Sequence, residues 1–119
     1  MTQAKDAVGA YGERVAAAHL VDQGMVVLDR NWRSRSGEID LVLRDGDEVV
    51  FCEVKTRRTA RFGAPVEAVG VAKVRRLRRL AAEWLAQAGL RVPTVRFDVV
   101  SVHPQRSGAA RVEHIRGAF

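Results

Sequence analysis

The sequence has little of what would place the protein outside the cell or in a membrane. It contains one cysteine and cannot form an internal disulfide bond, which suits a reducing compartment. The opening residues, MTQAKDAVGAYGER, lack the apolar core of a signal peptide. No apolar run approaches the roughly 20 residues that a membrane-spanning helix needs. We therefore expect a cytoplasmic protein without a membrane partner.

The chain is short and its charge is one-sided. Its 119 residues predict one domain, spanning residues 1–119, that can bury a core without disulfide or metal support. The net charge of +6 favours polyanionic partners, with nucleic acid ahead of acidic membranes or proteins. Of the 20 basic residues, 17 are arginine, a bias that genome composition can also produce. Charge alone therefore leaves nucleic-acid binding open.

Hydrophobic patterning predicts an α/β protein with the element order α-β-β-β-α-β. Apolar residues at three- and four-residue spacing predict a helix from Lys5 to Asp22, and Gly24 follows as a stop signal. A second helix is predicted from about Pro65 to Ala88, with a break near Gly70. Strands are predicted at 25–33, 37–44, 47–57 and 94–103, and VEHI (112–115) can add an edge strand.

Acidic residues are set into the strands of the predicted hairpin, GEIDLVLR and DEVVFCEVKTR. Because side chains alternate between the faces of a strand, Glu38 and Asp40 should share a face opposite Ile39. Glu53 and Lys55 share a face of the next strand for the same reason. The sequence therefore collects three carboxylates and a lysine on the hairpin.

The expected register brings these acids close together. A two-residue turn on the Asp-Gly pair at 45–46 places Glu38 opposite Glu53 and pairs Asp40 with Phe51. Like charges facing each other across a sheet are destabilising by roughly 0.2–1 kcal/mol, so the cluster needs a positive charge. A lysine supplies one, and a hard divalent cation with oxygen ligands supplies a stronger one. The alternative is a solvated sheet face on which the lysine is a surface counter-charge.

A carboxylate in one strand followed by Glu-x-Lys in the next resembles the motif of the PD-(D/E)xK nuclease superfamily. The matching residues are Asp40, Glu53 and Lys55. Over nearly its whole length the chain resembles the uncharacterised bacterial YraN-type proteins, which look like archaeal Holliday-junction resolvases. The stretches that carry this resemblance are GERVAAAHL, RNWRSRSGEIDLV, VVFCEVKTRR, FGAPVEAV, the Lys73 helix, RFDVVSV and HIRGAF.

The resemblance implies a restriction-endonuclease-like fold, in which helices flank a central mixed sheet, and metal-dependent phosphodiester hydrolysis. It makes Asp40 and Glu53 ligands of Mg²⁺ or Mn²⁺ and places Lys55 beside the attacking water. Glu13, in GERVA, matches a first-helix glutamate that joins the site as a further catalytic residue and metal ligand. One departure is Ile39, which stands where the superfamily motif has its widely variable proline.

These residue types suit the implied chemistry. A divalent cation lowers the pKa of a bound water and polarises the phosphate. Lys55 then orients the water or stabilises the developing charge, and we favour this electrostatic role over that of a general base. Glu38 and Lys73 are assigned supporting roles, Glu38 as an outer-shell partner of a ligand or of the motif lysine.

Arginines flank the candidate site. Those that follow the Glu-x-Lys strand directly are the best candidates for substrate contacts. Arg76, in the basic run KVRRLRR, should point away from the apolar stripe of its helix and either contact phosphates or remain solvated. The predicted nucleic-acid-binding set is Arg57, Arg58, Arg61, Arg33, Arg35 and Arg76.

Other conspicuous residues have structural explanations. Cys52 should point away from Glu53 into the core, and Asp98 should form a salt bridge with a nearby arginine. Gly9 and Gly12 are best explained by close helix packing. Trp32 is either a half-buried packing residue or a platform for an unpaired base. The histidines show no metal-ligand spacing and are expected to be structural or exposed; they are His19, His103 and His114.

The sequence therefore predicts a Mg²⁺- or Mn²⁺-dependent endonuclease-like protein that acts on DNA, branched or structured DNA included. One alternative is a non-catalytic nucleic-acid-binding module on the same fold. Another is a scaffold for a repair complex whose basic surfaces bind acidic proteins. Symmetric cutting of a junction would require two active sites and hence a homodimer.

Overall fold

The computed structural model describes residues 3–57, 70–91 and 94–119, and the elements follow the predicted order. Most of the predicted basic loop and the predicted helical residues before Gly70 lie outside these ranges. The two helices and five strands are α1 (Gln3–Asp22), β1 (Val26–Ser34), β2 (Gly37–Asp45), β3 (Glu48–Thr56), α2 (Val71–Ala88), β4 (Thr94–His103) and β5 (Arg111–Ile115).

The strands form one mixed sheet in the order β1-β2-β3-β4-β5, which confirms the α/β class. Neighbouring strands are antiparallel except β3 and β4, which run parallel. Parallel strands need a crossover connection, and α2 lies in the connection between them. Strand β3 is the third of the five strands and lies at the centre of the sheet. Residues of both helices can reach the end of this strand.

A helix covers each face of the sheet. Buried residues of α1 pack with Val50 and Cys52 in one core cluster. Buried residues of α2 pack with Val49 and Phe51 in a second cluster. Because consecutive strand residues point to opposite faces, the two helices lie on opposite sides of the sheet. Cys52 is buried as predicted.

Helix α2 ends at Ala88 as predicted and begins directly after Gly70, near which the sequence predicts a break; the predicted helical residues 65–69 lie outside the described ranges. Gly70 is extended and caps the first turn, and Gly89 lies in the left-handed region at φ 67°, a common way to end a helix. The buried side chains recur at three- and four-residue spacing: Leu77, Leu80, Ala81 and Trp84. In the part of the chain that the structure describes, neither helix is long and apolar enough to cross a bilayer.

The predicted hairpin register is wrong by two residues. The pair that closes the turn is Asp45 and Glu48, so the turn residues are Gly46 and Asp47. Gly46 has a φ of 62°, as the first central residue of a type II′ turn requires. Strand pairing ends at Leu41 opposite Cys52 in the other direction.

The observed register gives the acids different neighbours from those expected. Phe51 pairs with Val42 and not with Asp40. Extending the observed register by one step brings Asp40 level with Glu53, which Glu38 was expected to face. The shift is an even number of residues, so the relative faces of paired side chains are unchanged.

The strict alternation expected along β2 is also wrong at Asp40. Ile39 packs in the α2 cluster together with Val42, whereas Leu41 packs in the α1 cluster. The neighbouring strand is irregular at the same level, because Asn31 has a left-handed φ of 49°. This local twist aims Asp40 into the space where β2 and β3 diverge.

Candidate active site

The predicted catalytic residues line one cleft of about 630 Å³. The cleft opens where β2 and β3 stop pairing, and α1 and α2 contribute to its walls. The residues that line it are Gly9, Ala10, Glu13, Asn31, Arg33, Glu38, Asp40, Glu53, Val54, Lys55 and Lys73. The structure therefore brings together every residue predicted to be catalytic or supporting.

Asp40 is fixed by the backbone of the neighbouring strand. The N–H of Val54 donates a hydrogen bond of 2.8 Å to its Oδ2. Burial raises the pKa of Asp40, that hydrogen bond lowers it, and the carboxylates of Glu13 and Glu53 raise it again, so that the net pKa is about 7. An acid this costly to ionise is a candidate for a functional site, because a cation would relieve the penalty.

Glu13 reaches the cleft from α1. Burial raises its pKa, an effect that a hydrogen bond from the Asn31 side chain opposes, and Glu38 raises it again. It is close enough to hydrogen-bond Asp40 as well. Asn31 was not predicted as a site residue. The available signal was an asparagine inside a predicted strand, where that residue type is uncommon.

Two lysines form ion pairs with Glu53. Its Oε2 lies 2.9 Å from Nζ of Lys73 and 3.5 Å from Nζ of Lys55, and the carboxylate is 12% exposed. These approaches are ion pairs and not aligned hydrogen bonds, so Oε2 is buried without a hydrogen-bond partner among the described residues. Burial and the neighbouring Lys73 ammonium lower the pKa of Lys55, although Glu53 opposes them. Burial also lowers the pKa of Lys73, but its contact with Glu53 outweighs this and the net shift is upward.

Glu38 lies at the rim and not opposite Glu53. It pairs with Arg33 across β1 and β2, and its Oε2 is 3.3 Å from Nε of that arginine. Both side chains are more than half exposed, so solvent screens the pair. In this position it contributes a negative charge near Glu13 and Asp40.

The cleft does not contain a complete set of protein metal ligands. Within residues 3–57, 70–91 and 94–119, no three His, Cys, Asp or Glu side chains are arranged to hold a metal ion by themselves. The donors present are nevertheless carboxylate oxygens, which hard cations such as Mg²⁺ and Mn²⁺ prefer. The residues therefore fit a divalent cation if bound water completes its coordination.

Comparison with known proteins identifies the family. The model of the uncharacterised protein family UPF0102 matches residues 12–102, a range that contains Glu13, Asp40, Glu53, Lys55 and Lys73. The chain belongs to this family. A UPF0102 protein of Nocardioides is 58% identical over 113 residues, covering 95% of this chain and 91% of the relative. Another, of Frankia alni, is 58% identical over 117 residues and covers 98% of both chains. The YraN-type resemblance is confirmed.

The predicted arginines of this UPF0102 chain occupy different positions relative to the cleft. Arg33 lines it, and Arg57 is half-buried directly after β3. Arg35 and Arg76 are exposed, the first in the turn between β1 and β2 and the second on α2. The remaining members of the set, Arg58 and Arg61, lie outside the described residues.

Trp32 and a second cleft lie apart from the catalytic candidates. Trp32 is partly buried against the α2 cluster, which favours the packing explanation. A separate cleft of about 590 Å³ lies between α1 and the β4–β5 loop. The described residues that line it include no carboxylate, in contrast to the first cleft; they are Ala7, Val8, Tyr11, Pro104, Gln105 and Arg106.

Proposed function

We propose that the protein is a divalent-metal-dependent endonuclease of the restriction-endonuclease-like fold and that it hydrolyses phosphodiester bonds in DNA. The observation that carries this proposal is the meeting of Glu13, Asp40 and Glu53 with Lys55 in one cleft. The α/β sheet with a helix on each face is compatible with that fold.

The electrostatics of the cleft favour a bound cation over a purely structural cluster. Burial raises the pKa of Asp40 and of Glu13, and repulsion from neighbouring carboxylates adds to it in both, so two of the three acids ionise at a cost. A dication would offset this cost and could bind Oε2 of Glu53, which is held in the free protein by its ion pairs with Lys73 and Lys55. Asp40 and Glu53 are the proposed ligands, with Glu13 as a third or as the partner of a bound water.

The roles of the residues follow from where charge develops during hydrolysis. When bound, a Mg²⁺ or Mn²⁺ ion would supply an activated water and polarise the phosphate. Asp40 is held by the Val54 N–H and can keep its orientation throughout. Lys55 lies on the same face as Glu53 and can stabilise the extra negative charge on phosphorus as a point cation.

The test begins with Mn²⁺ alone, so that it does not depend on guessing the substrate. Mn²⁺ is titrated by calorimetry into the metal-free protein, with Asp40→Ala and Glu53→Ala alongside and with folding checked by circular dichroism. We expect binding in the wild type and a loss of at least tenfold in both variants. The exposed Asp22→Ala variant, on α1 far along the chain from these ligands, should bind as the wild type does.

Cleavage is then assayed on duplex, flapped and four-way-junction DNA in Mg²⁺. We expect activity that both carboxylate variants lose while they retain DNA binding. If both variants cleave as well as the wild type, the proposed site is wrong. A substrate preference for the junction, together with a dimer in solution, would support junction resolution.

One observation favours a second function, a non-catalytic nucleic-acid-binding module. Two lysines already neutralise Glu53, and the described residues contain no complete set of metal ligands. This function predicts DNA binding without Mn²⁺ binding and without cleavage. The calorimetric titration therefore separates the two proposals before any DNA is added.

A further inference from the structure

Among the described residues, Lys73 makes the shortest ion pair with Glu53, and it does not belong to the Glu-x-Lys motif. Its Nζ lies 2.9 Å from Glu53 Oε2, whereas Nζ of the motif residue Lys55 lies 3.5 Å away. The Lys73 side chain is 29% exposed, so most of it is packed against the protein. The contact joins α2 to the end of β3.

The position of Lys73 in its helix is unfavourable without this contact. It lies in the first turn of α2, where the backbone dipole is positive and acidic residues are preferred. The first turn, VAKV, contains no acid that could balance it. Glu53 is therefore the partner that compensates Lys73 in the free protein.

The same contact conflicts with cation binding at Glu53. A divalent ion bound to Oε2 would approach that oxygen to about 2.0–2.6 Å, depending on the metal. An ammonium 2.9 Å from the same oxygen would then face a dication at close range. Lys73 must withdraw, and its four-carbon stem allows the Nζ to move within the cleft.

We propose that Lys73 is a second substrate-contacting cation, which covers Glu53 in the free protein and transfers to the scissile phosphate when a divalent cation takes Glu53. This inference rests on the proposed nuclease function. It assigns the two lysines different roles: Lys55 stays with the motif, while Lys73 exchanges a carboxylate for a phosphate. Cation binding to Glu53 should release Lys73 for the phosphate, and phosphate binding should draw Lys73 away from Glu53. Cation binding and substrate binding should therefore strengthen each other.

The first experiment titrates Mn²⁺ into the metal-free wild type, Lys73→Met and Arg75→Met. Methionine keeps the length of the stem and the helix propensity while removing the charge. Arg75 is exposed on the same helix and serves as the matched control. We expect Lys73→Met to bind Mn²⁺ at least fivefold more tightly than the wild type and Arg75→Met to remain within twofold.

Each outcome of this titration decides a different point. Binding by Lys73→Met and not by the wild type would support the inference as strongly as a fivefold gain. Equal or weaker binding by Lys73→Met, with the wild type binding, would overturn the inference and leave the proposed metal site standing. If neither protein binds Mn²⁺, both the inference and the metal site are wrong.

The second experiment measures cleavage of DNA in saturating Mg²⁺. Lys73→Met should cleave at least tenfold more slowly despite its tighter metal binding, and Lys73→Arg should recover part of the rate because it keeps the charge. Cleavage by Lys73→Met at or above the wild-type rate would overturn the phosphate contact. Lys73 would then be only a cover for Glu53.

Discussion

At the residue scale, Arg96 joins acids from three strands. Its guanidinium donates to Asp45 of β2 at 3.0 Å, to Glu48 of β3 at 2.8 Å and to Asp98 of β4 through two nitrogens. Asp98 is fully buried and also accepts hydrogen bonds from His114 and from the Gly117 N–H. The predicted salt bridge of Asp98 is therefore confirmed, within a larger network than the sequence indicated.

This network predicts a large effect of Asp98→Asn on stability. The amide cannot balance the charge of Arg96, and breaking a buried ion pair typically costs about 3–5 kcal/mol. Since Arg96 keeps Asp45 and Glu48, we expect a loss of about 3 kcal/mol in urea denaturation at pH 7. The exposed Asp22→Asn variant should stay within about 0.5 kcal/mol of the wild type. Equal stability of Asp98→Asn and wild type would contradict this account.

The same residue predicts an acid-sensitive stability. Burial raises the pKa of Asp98, but the hydrogen bonds from His114 and Arg96 outweigh burial and lower the pKa to about 2. An acid whose pKa is lower in the folded state stabilises the protein above its unfolded pKa of about 3.9. This contribution is lost as the pH falls from about 4 towards 2. The stability difference between wild type and Asp98→Asn should therefore shrink over that interval.

At the scale of the elements, α1 and β3 meet at a glycine. Gly12 is buried, and a Cβ at this position would overlap Oγ1 of Thr56 and lie 3.0 Å from its Cβ. A Cβ at Gly9, one turn earlier, would meet no described atom within 4 Å. Close approach of the helix to the sheet explains Gly12, as the sequence predicted, but does not explain Gly9.

The two glycines provide a matched pair of alanine variants. Gly12→Ala should destabilise the protein by about 1–3 kcal/mol, because Thr56 or the helix must move. Gly9→Ala should stabilise it by about 0.5–1 kcal/mol, since alanine is the better helix former and has room. Urea denaturation of both variants tests this difference. Loss of stability in Gly9→Ala, or none in Gly12→Ala, would show that α1 approaches the sheet differently.

The elements were predictable from local pattern, whereas the register between them was not. Helix α2 was placed by its apolar stripe and its flanking glycines, all of which are local signals. Local turn rules allow both an Asp-Gly pair and a Gly-Asp pair at the turn, so they could not choose between the two registers. Arg96, about 50 residues later, contacts both Asp45 and Glu48 and so favours the observed turn between them, and a local rule cannot include this tertiary contact. The twist at Asn31 was missed because it interrupts an otherwise regular strand pattern.

The site was more predictable than the register because its residue types are unusual for strands. Asp40, Glu53 and Lys55 stand out wherever the turn falls, and an even-numbered shift keeps them on the same faces. The contact of Lys73 with Glu53 was not predictable, because it depends on how α2 docks. Sequence could name the members of the cleft, but only the fold could give their pairing.

At the scale of the whole molecule, an excess of basic residues accompanies a cleft that contains four carboxylates. Arg35 and Arg76 are exposed, and Arg33 lies at the cleft wall. Contacts of this kind between arginine and phosphate position a duplex and release counterions, so binding weakens as salt rises. A net charge of +6 is consistent with such an interface.

The salt dependence of the affinity for a DNA duplex tests whether exposed arginines such as Arg76 contact phosphates. Anisotropy titrations of a short duplex in Ca²⁺, which suppresses turnover in many magnesium-dependent nucleases, should show affinity that falls as salt rises. Arg76→Ala should lower the slope of log affinity against log salt by about 1 if it removes one phosphate contact. Arg91→Ala, which changes an exposed arginine beyond the end of α2, should leave the slope unchanged. An unchanged slope in Arg76→Ala would remove this residue from the proposed interface.

The order of the strands also affects how the protein can fold during synthesis. Strands β1, β2 and β3 pair with their neighbours in the chain, so they can associate with α1 as soon as Thr56 has left the ribosome. Lys73 emerges later, with α2, and β4 emerges after it. The nascent chain can therefore assemble Glu13, Asp40 and Glu53 before Lys73, which contacts Glu53 in the folded protein, has emerged. If the proposed metal site is right, these acids should bind a divalent cation more tightly at that stage than after α2 has docked.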